Sequence, residues 1–320
     1  MAQTSEQPRI GDSTHGLTRA YLQLVRLPNV FTAMADILMG YLFTHQMVAD
    51  PAGSLALLLG ASAALYMAGM VLNDLFDFEI DARERPHRPL PSGRIHASTA
   101  RAIGIGLVVF GVVMGWLAGW LGLSWRPGLV ATALAALVVI YDASLRVTPL
   151  APLGMAGCRA LNVLLGMSLA PGDWHAAHYV IAAGVGVYIL GVTWFSRGEA
   201  EVSRRLQLSM ALAVLLSGIA LLASYPLFVD EFLPAVSQPV YLDRWRLLML
   251  LLGGLIAWRC VRAIITPAPL YVQAAVKNCI LSLIVLDAAV CFTVRGAAGA
   301  LPILVLLIPA LFLGRWVYST

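Results

Sequence analysis

Apolar residues run along this chain in blocks of about 20, broken by short polar stretches, and these blocks set its organisation. Ten are read, near 29–48, 52–76, 100–122, 127–142, 150–170, 177–196, 206–228, 245–265, 275–294 and 299–318. At 1.5 Å rise per residue, about 20 residues cross a hydrocarbon core, so each block predicts a spanning helix. No polar segment between them has the size of a domain. The pattern therefore predicts one all-α, polytopic membrane bundle of nine to ten helices over 1–320, preceded by a polar tail at 1–20 without the apolar core of a signal peptide. In the third block Gly111, Gly115 and Gly119 recur every fourth residue. They form a small-residue seam suited to close helix contact.

Composition sharpens this picture. Of 320 residues, 60% are hydrophobic and 12% charged, and the mean hydropathy is +0.82, which excludes an ordinary soluble globular domain. The net charge of +4 is not a nucleic-acid signature here, because placement outweighs the sum in a membrane protein. With the N-terminus inside, the outward loops hold only Arg126, Arg244, Arg246 and Arg295, and Arg159 lies within the fifth block. All other basic residues fall inward. This predicts an integral, multi-pass cell-membrane protein with both termini and the Asp77 region on the cytoplasmic side. Cys158, Cys260, Cys279 and Cys291 sit in or beside apolar blocks without paired spacing, so neither a disulfide framework nor a zinc site is indicated.

One polar run stands out where the second block meets water: Asn73, Asp74, Asp77, Glu79 and Asp81, followed by Arg83, Arg85, Arg88 and Arg94 among prolines. If the helix continues, Asn73 or Asp74, Asp77 and Asp81 share a face at i, i+3/i+4 and i+7/i+8. Crowded carboxylates repel unless a cation lies between them, and a hard ion that keeps water and phosphate oxygens in its shell is Mg²⁺. The arginines downstream carry donors shaped for phosphate. The combination points to a diphosphate site at a membrane surface.

The run N-D-x-x-D-x-x-x-D (73–81), followed by R-P-L-P-S-G, resembles the first aspartate motif of the UbiA superfamily of membrane prenyltransferases. The resemblance implies a helical membrane enzyme that moves an isoprenoid chain from its diphosphate to a small acceptor, by family default a phenol or quinone precursor. It implies Mg²⁺ on Asn73, Asp74, Asp77 and Asp81, with Asp77 and Asp81 catalytic. It carries Arg26 and Asn29, at the start of the first block, to the diphosphate end of the cavity, where Arg83 and Arg88 also neutralise oxygens. The proline-stiffened loop from Phe78 to Thr99 is expected to cap the site and exclude water.

At the end of the fourth block the family carries a tyrosine and a basic residue, which maps onto Tyr141 and Arg146. Arg146 is expected on phosphate. Tyr141 either stabilises an allylic cation or is an interfacial aromatic. Arg159 and Asn162 share a face of the fifth block, and Arg159 is expected to face the cavity, paired with Asp142, Glu199 or Glu201. Asp36 and Asp287 are intramembrane acids without an assigned role. The proton released by the acceptor goes to Asp142 or Glu199.

The family's second aspartate motif is altered here to Ser196-Arg197-Gly198-Glu199-Ala200-Glu201. Glutamates at i and i+2 are about 200° apart on a helix. Arg197 then either replaces a second cation as a diphosphate clamp or pairs with Glu201 on the surface. This alteration resembles an EboC-like branch, which keeps open a polar, non-aromatic acceptor such as a cyclitol. A non-catalytic lipid-binding or transport protein is the competing class, with Asp36, Arg159 and Asp287 as its polar path.

Overall fold

The computed structural model describes residues 10–45, 53–197, 204–229 and 239–316. Its described secondary structure is entirely helical. Twelve α-helices follow in order: α1 Ile10–Leu24, α2 Leu27–Thr44, α3 Ser54–Phe76, α4 Phe78–Glu84, α5 Ala97–Leu121, α6 Arg126–Ala143, α7 Ala151–Gly166, α8 Ala176–Ser196, α9 Arg205–Ser224, α10 Pro239–Ile265, α11 Pro269–Val305 and α12 Leu307–Trp316. Seven stretches in α3, α5, α6, α8, α9, α10 and α11–α12 are long and apolar enough to cross a membrane. The protein is an integral membrane protein of the predicted kind.

α2 is the hub. It packs against α3, α7, α11 and α12 and is buried along most of its length, from Pro28 to Phe43. Pro28 suits the first turn, whose missing donor costs nothing there. The preceding Arg26 stands in the left-handed region at φ 46°. For a residue with a Cβ this conformation stores strain of order 1 kcal/mol or more. The strained turn joins α1 to α2.

The α5 seam behaves as its spacing predicts. A Cβ on Gly115 would lie 2.4 Å from the Ala131 Cβ of α6, and one on Gly111 would lie 2.6 Å from Leu65 of α3. α5 therefore approaches both neighbours at near-backbone distance.

Two segments add detail to the predicted pattern. The end of the polar stretch is helical, and α1 buries Ala20 and Leu24 against Val71, Leu90, Ile95 and Ala100. The last two blocks are joined through α11, which bends at Gly296 (φ 61°, ψ −155°). A positive φ is what glycine supplies without steric cost. Beyond the bend, Gly314 and Arg315 of α12 line one cleft with Pro28 and Asn29 of α2 and Lys277 of α11. The segment after Gly296 thus returns to the face where α11 starts, with a break at Leu306 between its halves.

One face of the bundle gathers many of the candidate polar residues. It comprises Arg26 before α2, the end of α3, α4, the 85–96 loop, the end of α6 and a 3-10 turn at Leu145–Val147. The loop is stapled by Arg94 Nη2 donating to the His87 carbonyl at 2.6 Å and by Ile95 N donating to the Pro89 carbonyl at 3.2 Å. Leu90 and Ile95 are buried beneath it.

Candidate active site

α3 does not run unbroken through the acidic motif. It ends at Phe76, and Asp77 forms the joint (φ −86°, ψ 1°) to the short α4. The i→i+4 pattern nevertheless passes through the joint, since Asp77 N donates to the Asn73 carbonyl at 2.9 Å and Asp81 N to the Asp77 carbonyl at 2.8 Å. The backbone ladder therefore continues through the joint, but the three carboxylates do not converge on one point.

Their carboxylates divide between two arginine-held groups. Asp74 and Asp81 are 5% and 3% exposed. Arg88 Nη1 bridges them, 2.5 Å from Asp81 Oδ2 and 3.4 Å from Asp74 Oδ1, and Arg26 Nη2 adds a contact to Asp74 Oδ1 at 3.2 Å. Asp77 instead pairs with Arg146. Arg146 Nε also donates to the Asp142 carbonyl at 3.5 Å, and Asn73 Nδ2 donates to Asp142 Oδ1 at the same distance. Asp142 is 3% exposed, and its Oδ2 accepts no hydrogen bond.

Four acidic side chains, Asp74, Asp77, Asp81 and Asp142, meet three guanidiniums at this mouth. The Asp74 and Asp81 oxygens approach one nitrogen atom of Arg88, so they are near enough to share a small ion. Among the described residues no group of three or more acidic, histidine or cysteine side chains is close enough together to hold a metal ion, the motif included; its carboxylates are instead held by Arg26, Arg88 and Arg146.

A cavity of about 200 Å³ opens beside this mouth and descends between α2, α3, α6 and α7. Arg26, Asn73, Tyr141 and Asp142 line its polar rim. Its walls include Leu65, Tyr66, Met70, Leu134, Val138 and Met155. Ser62, Arg159 and Asn162 close its inner end. On α3 the lining residues Ser62, Leu65, Tyr66, Gly69, Met70 and Asn73 recur every three or four positions, as one helix face must.

Arg159 faces the cavity as expected, but its partner is Asp36 rather than Asp142. Arg159 Nη1 stands 3.2 Å from Asp36 Oδ2, and Nη2 donates to Thr32 Oγ1 at 2.9 Å. Asn162 Nδ2 donates to Asp36 Oδ2 at 2.9 Å, while Ser62 Oγ donates to Asn162 Oδ1 at 2.7 Å. Sequence spacing alone did not join Ser62 and Thr32 to this network. Their signal was slight: single hydroxyls in apolar helices, on the faces carrying Asn73 and Asp36.

Other sequence-based assignments shift. Arg83 is exposed and is not brought to the carboxylates, because its position on α4 points away while Arg88 folds back from the loop. Asn29 lines the separate cleft with Lys277 and Arg315, on a different face of α2 from Arg26's cavity. Arg197 donates to the Thr148 and Pro149 carbonyls, so it ties the end of α8 to the turn before α7 instead of forming a clamp on the carboxylate cluster. Glu199 and Glu201 lie outside the described residues. All four cysteines are buried and free, as expected, although Cys260 and Cys279 bring their sulfurs to 3.6 Å.

A sequence model of the UbiA prenyltransferase family matches residues 33–269. The digeranylgeranylglyceryl phosphate synthase of Ignicoccus hospitalis is 32% identical over 159 residues, covering 50% of each chain. That of Saccharolobus solfataricus is 40% identical over 98 residues, covering 30% of this chain and 34% of its own. The matched stretch thus spans a third to a half of these relatives' lengths. Among solved structures, one of a digeranylgeranylglyceryl phosphate synthase superposes with a TM-score of 0.62 at 19% identity, covering 90% of this chain and 99% of its own. A UbiA homolog from Archaeoglobus fulgidus bound to GPP and Mg²⁺ gives a TM-score of 0.59 at 14% identity, covering 84% of this chain and 99% of that one. These structural likenesses establish the shared fold.

Proposed function

The chain belongs to the UbiA prenyltransferase family, and we propose that it transfers an isoprenoid group from its diphosphate to a hydroxyl-bearing small acceptor within the cavity above. It is a prenyltransferase of a family that uses Mg²⁺. The observation carrying the assignment is the continuity of one cavity from an arginine- and carboxylate-lined mouth into apolar walls. Such a space suits a molecule with an anionic head and a hydrocarbon tail, each buried CH₂ contributing about 0.8 kcal/mol.

In this reading Asn73, Asp74, Asp77 and Asp81 would hold the metal, and Arg26, Arg88 and Arg146, which now hold those carboxylates, would donate to diphosphate oxygens. Mg²⁺ supplies neutralisation of the leaving diphosphate. As the C1–O bond breaks, positive charge spreads over the allylic carbons, and the ring faces of Tyr66 and Tyr141 lie in the cavity wall to stabilise it. The acceptor oxygen forms the new bond to C1 and gives its proton to Asp142, whose unpartnered Oδ2 is a ready base. The proline-rich loop over the mouth limits entry of water, which would otherwise capture the cation.

The acceptor's hydroxyl is common to two sources. The relatives' name places two geranylgeranyl groups on a glyceryl phosphate, whereas the first aspartate motif resembles enzymes whose acceptors are phenolic. Placement of the mouth on the cytoplasmic face follows from the basic bias of the inward loops.

The test supplies purified protein and Mg²⁺ with geranyl, farnesyl and geranylgeranyl diphosphates, together with a glyceryl phosphate lipid or a phenol. Diphosphate release and product mass are read together. Product formation that disappears in Asp77→Asn is expected. Wild-type turnover by that variant would remove the metal assignment, and donor binding without transfer to any acceptor would favour the lipid-binding alternative.

A further inference from the structure

Away from the cavity, a second concave site lies where α2, α11 and α12 meet. The bend at Gly296 returns α12 to the face where α11 begins, and α12 packs against both α2 and α11. Between the three helices lies a cleft of about 80 Å³. Each helix supplies one polar group to its lining, Asn29, Lys277 and Arg315 in turn, and Ile280, Leu281 and Leu311 give it apolar walls. No described acid lines it.

Prenyl transfer uses none of these groups. Two like charges brought to one cleft from separate helices repel, and Arg315 has no ion-pair partner among the described residues. An anion between them replaces that repulsion by attraction. A guanidinium fork and an ammonium are both donors suited to phosphate. The level of the cleft says where the phosphate comes from. Trp316 is 70% exposed and stacks on Phe312, one turn earlier, with ring centroids 6.0 Å apart. Exposed aromatics beside a basic residue at a helix end mark the membrane–water interface, where the stems of Arg and Lys lie along apolar surface and their heads reach the headgroups. A soluble anion would give up water for walls that return no hydrogen bond, whereas a phospholipid already carries its phosphate at this level with carbon on the inner side.

We propose that this cleft binds the phosphate of an anionic phospholipid, with Lys277 and Arg315 as its donors and the apolar walls against the glycerol and first acyl carbons. A zwitterionic headgroup is disfavoured, since its own ammonium cancels the attraction on which such basic sites depend. The site is linked to the mouth through the backbone. Asn29 N donates to the Arg26 carbonyl at 3.0 Å, and Arg26 Nη2 holds Asp74 Oδ1 at 3.2 Å, so a lipid seated across the three helices steadies the turn that carries Arg26. The inference goes beyond prenyl transfer and does not depend on it.

The full-length protein in detergent, without Mg²⁺, is titrated with phosphatidylglycerol or with phosphatidylcholine of the same acyl chains, and bound lipid is counted by native mass spectrometry. One phosphatidylglycerol is expected to bind at least tenfold more tightly than phosphatidylcholine, and inorganic phosphate in large excess should not displace it. Each cation beside an anionic headgroup is worth about fivefold in affinity. Lys277→Gln combined with Arg315→Gln should therefore weaken binding about twentyfold. Arg315→Gln alone, at an exposed position near the end of α12, should weaken it about fivefold and serves if the double variant fails to fold. Arg259→Gln with Arg262→Gln removes two equal charges from the exposed end of α10 and should change affinity less than about twofold, as should Arg88→Ala. Equal binding of the two lipids or displacement by phosphate would overturn the assignment. So would an equal loss in the α10 variant, which would reduce the effect to general surface charge, or a loss in Arg88→Ala, which would move the lipid to the mouth.

Discussion

Replacing Arg88 by alanine gives the most direct test of whether the paired carboxylates form a cation site. In the structure one Arg88 nitrogen lies 2.5 Å from Asp81 Oδ2 and 3.4 Å from Asp74 Oδ1, and both acids are almost wholly buried. Without that bridge, two negative charges face each other at about 5 Å, which at an effective dielectric of about 20 repels by roughly 3 kcal/mol. Arg26 remains on Asp74 and offsets part of this, so a net loss of about 2 kcal/mol is expected. For a chain of this size that lowers the melting temperature by roughly 5 °C. The loss should be metal-dependent. A cation held by the two acids replaces the missing guanidinium and contributes RT ln(1 + [L]/Kd), about 2.7 kcal/mol when Mg²⁺ is a hundredfold above its dissociation constant. Thermal unfolding in detergent, with chelator and then with rising Mg²⁺, reads both parts. Arg88→Ala should be less stable than wild type in chelator and should gain more from Mg²⁺. An equal response of both proteins to Mg²⁺ would refute the claim that Asp74 and Asp81 share the ion.

Further outcomes follow from the same geometry. Asp142→Asn should lower turnover by a hundredfold or more, the scale of a lost general base, while leaving the donor's dissociation constant within about twofold, as measured by rapid-quench kinetics and binding. Arg197→Ala should leave donor affinity unchanged and cost about 1 kcal/mol of stability through its lost carbonyl contacts, because it donates to Thr148 and Pro149; a tenfold rise in donor KM would restore the clamp assignment. Gly115→Val should destabilise the bundle by roughly 1–3 kcal/mol, since even its Cβ would stand 2.4 Å from that of Ala131 and force α5 from α6. Breaking the buried pair by Arg159→Met should cost about 3–5 kcal/mol, and Asp36→Leu in the same protein should recover much of it in a denaturation cycle.

What the sequence displayed well was anything encoded at short range. The apolar blocks marked the helices, fourfold glycine spacing marked the α5 seam, and Asn73 to Asp81 marked the mouth, because spacing along one helix fixes direction. Pairings across helices were another matter. Asn162 meets Asp36 across 126 positions, and no local pattern distinguishes Asp36 from Asp142 as the partner of Arg159. Arg197 and Arg83 show why basic residues beside a motif mislead: a guanidinium satisfies itself on backbone carbonyls or in solvent as readily as on phosphate. α1 hid its role because Ala20 and Leu24, with Tyr21 and Val25 beside them, carry it at the end of a polar stretch.

The small core under the 85–96 loop sets an energetic boundary inside the molecule. Ala20, Leu24, Leu90, Ile95 and Ala100 meet Val71 in a cluster separate from the main core, so α1 and the loop are fastened to the bundle by few apolar side chains. Regions with so little buried surface exchange their amide hydrogens through local opening at a fraction of the global unfolding free energy. α1 and the loop are consequently expected to open apart from the main core once the Arg88 contacts to Asp74 and Asp81 let go. Trimming Leu24 or Ile95 should quicken that opening while the helices beneath stay in register.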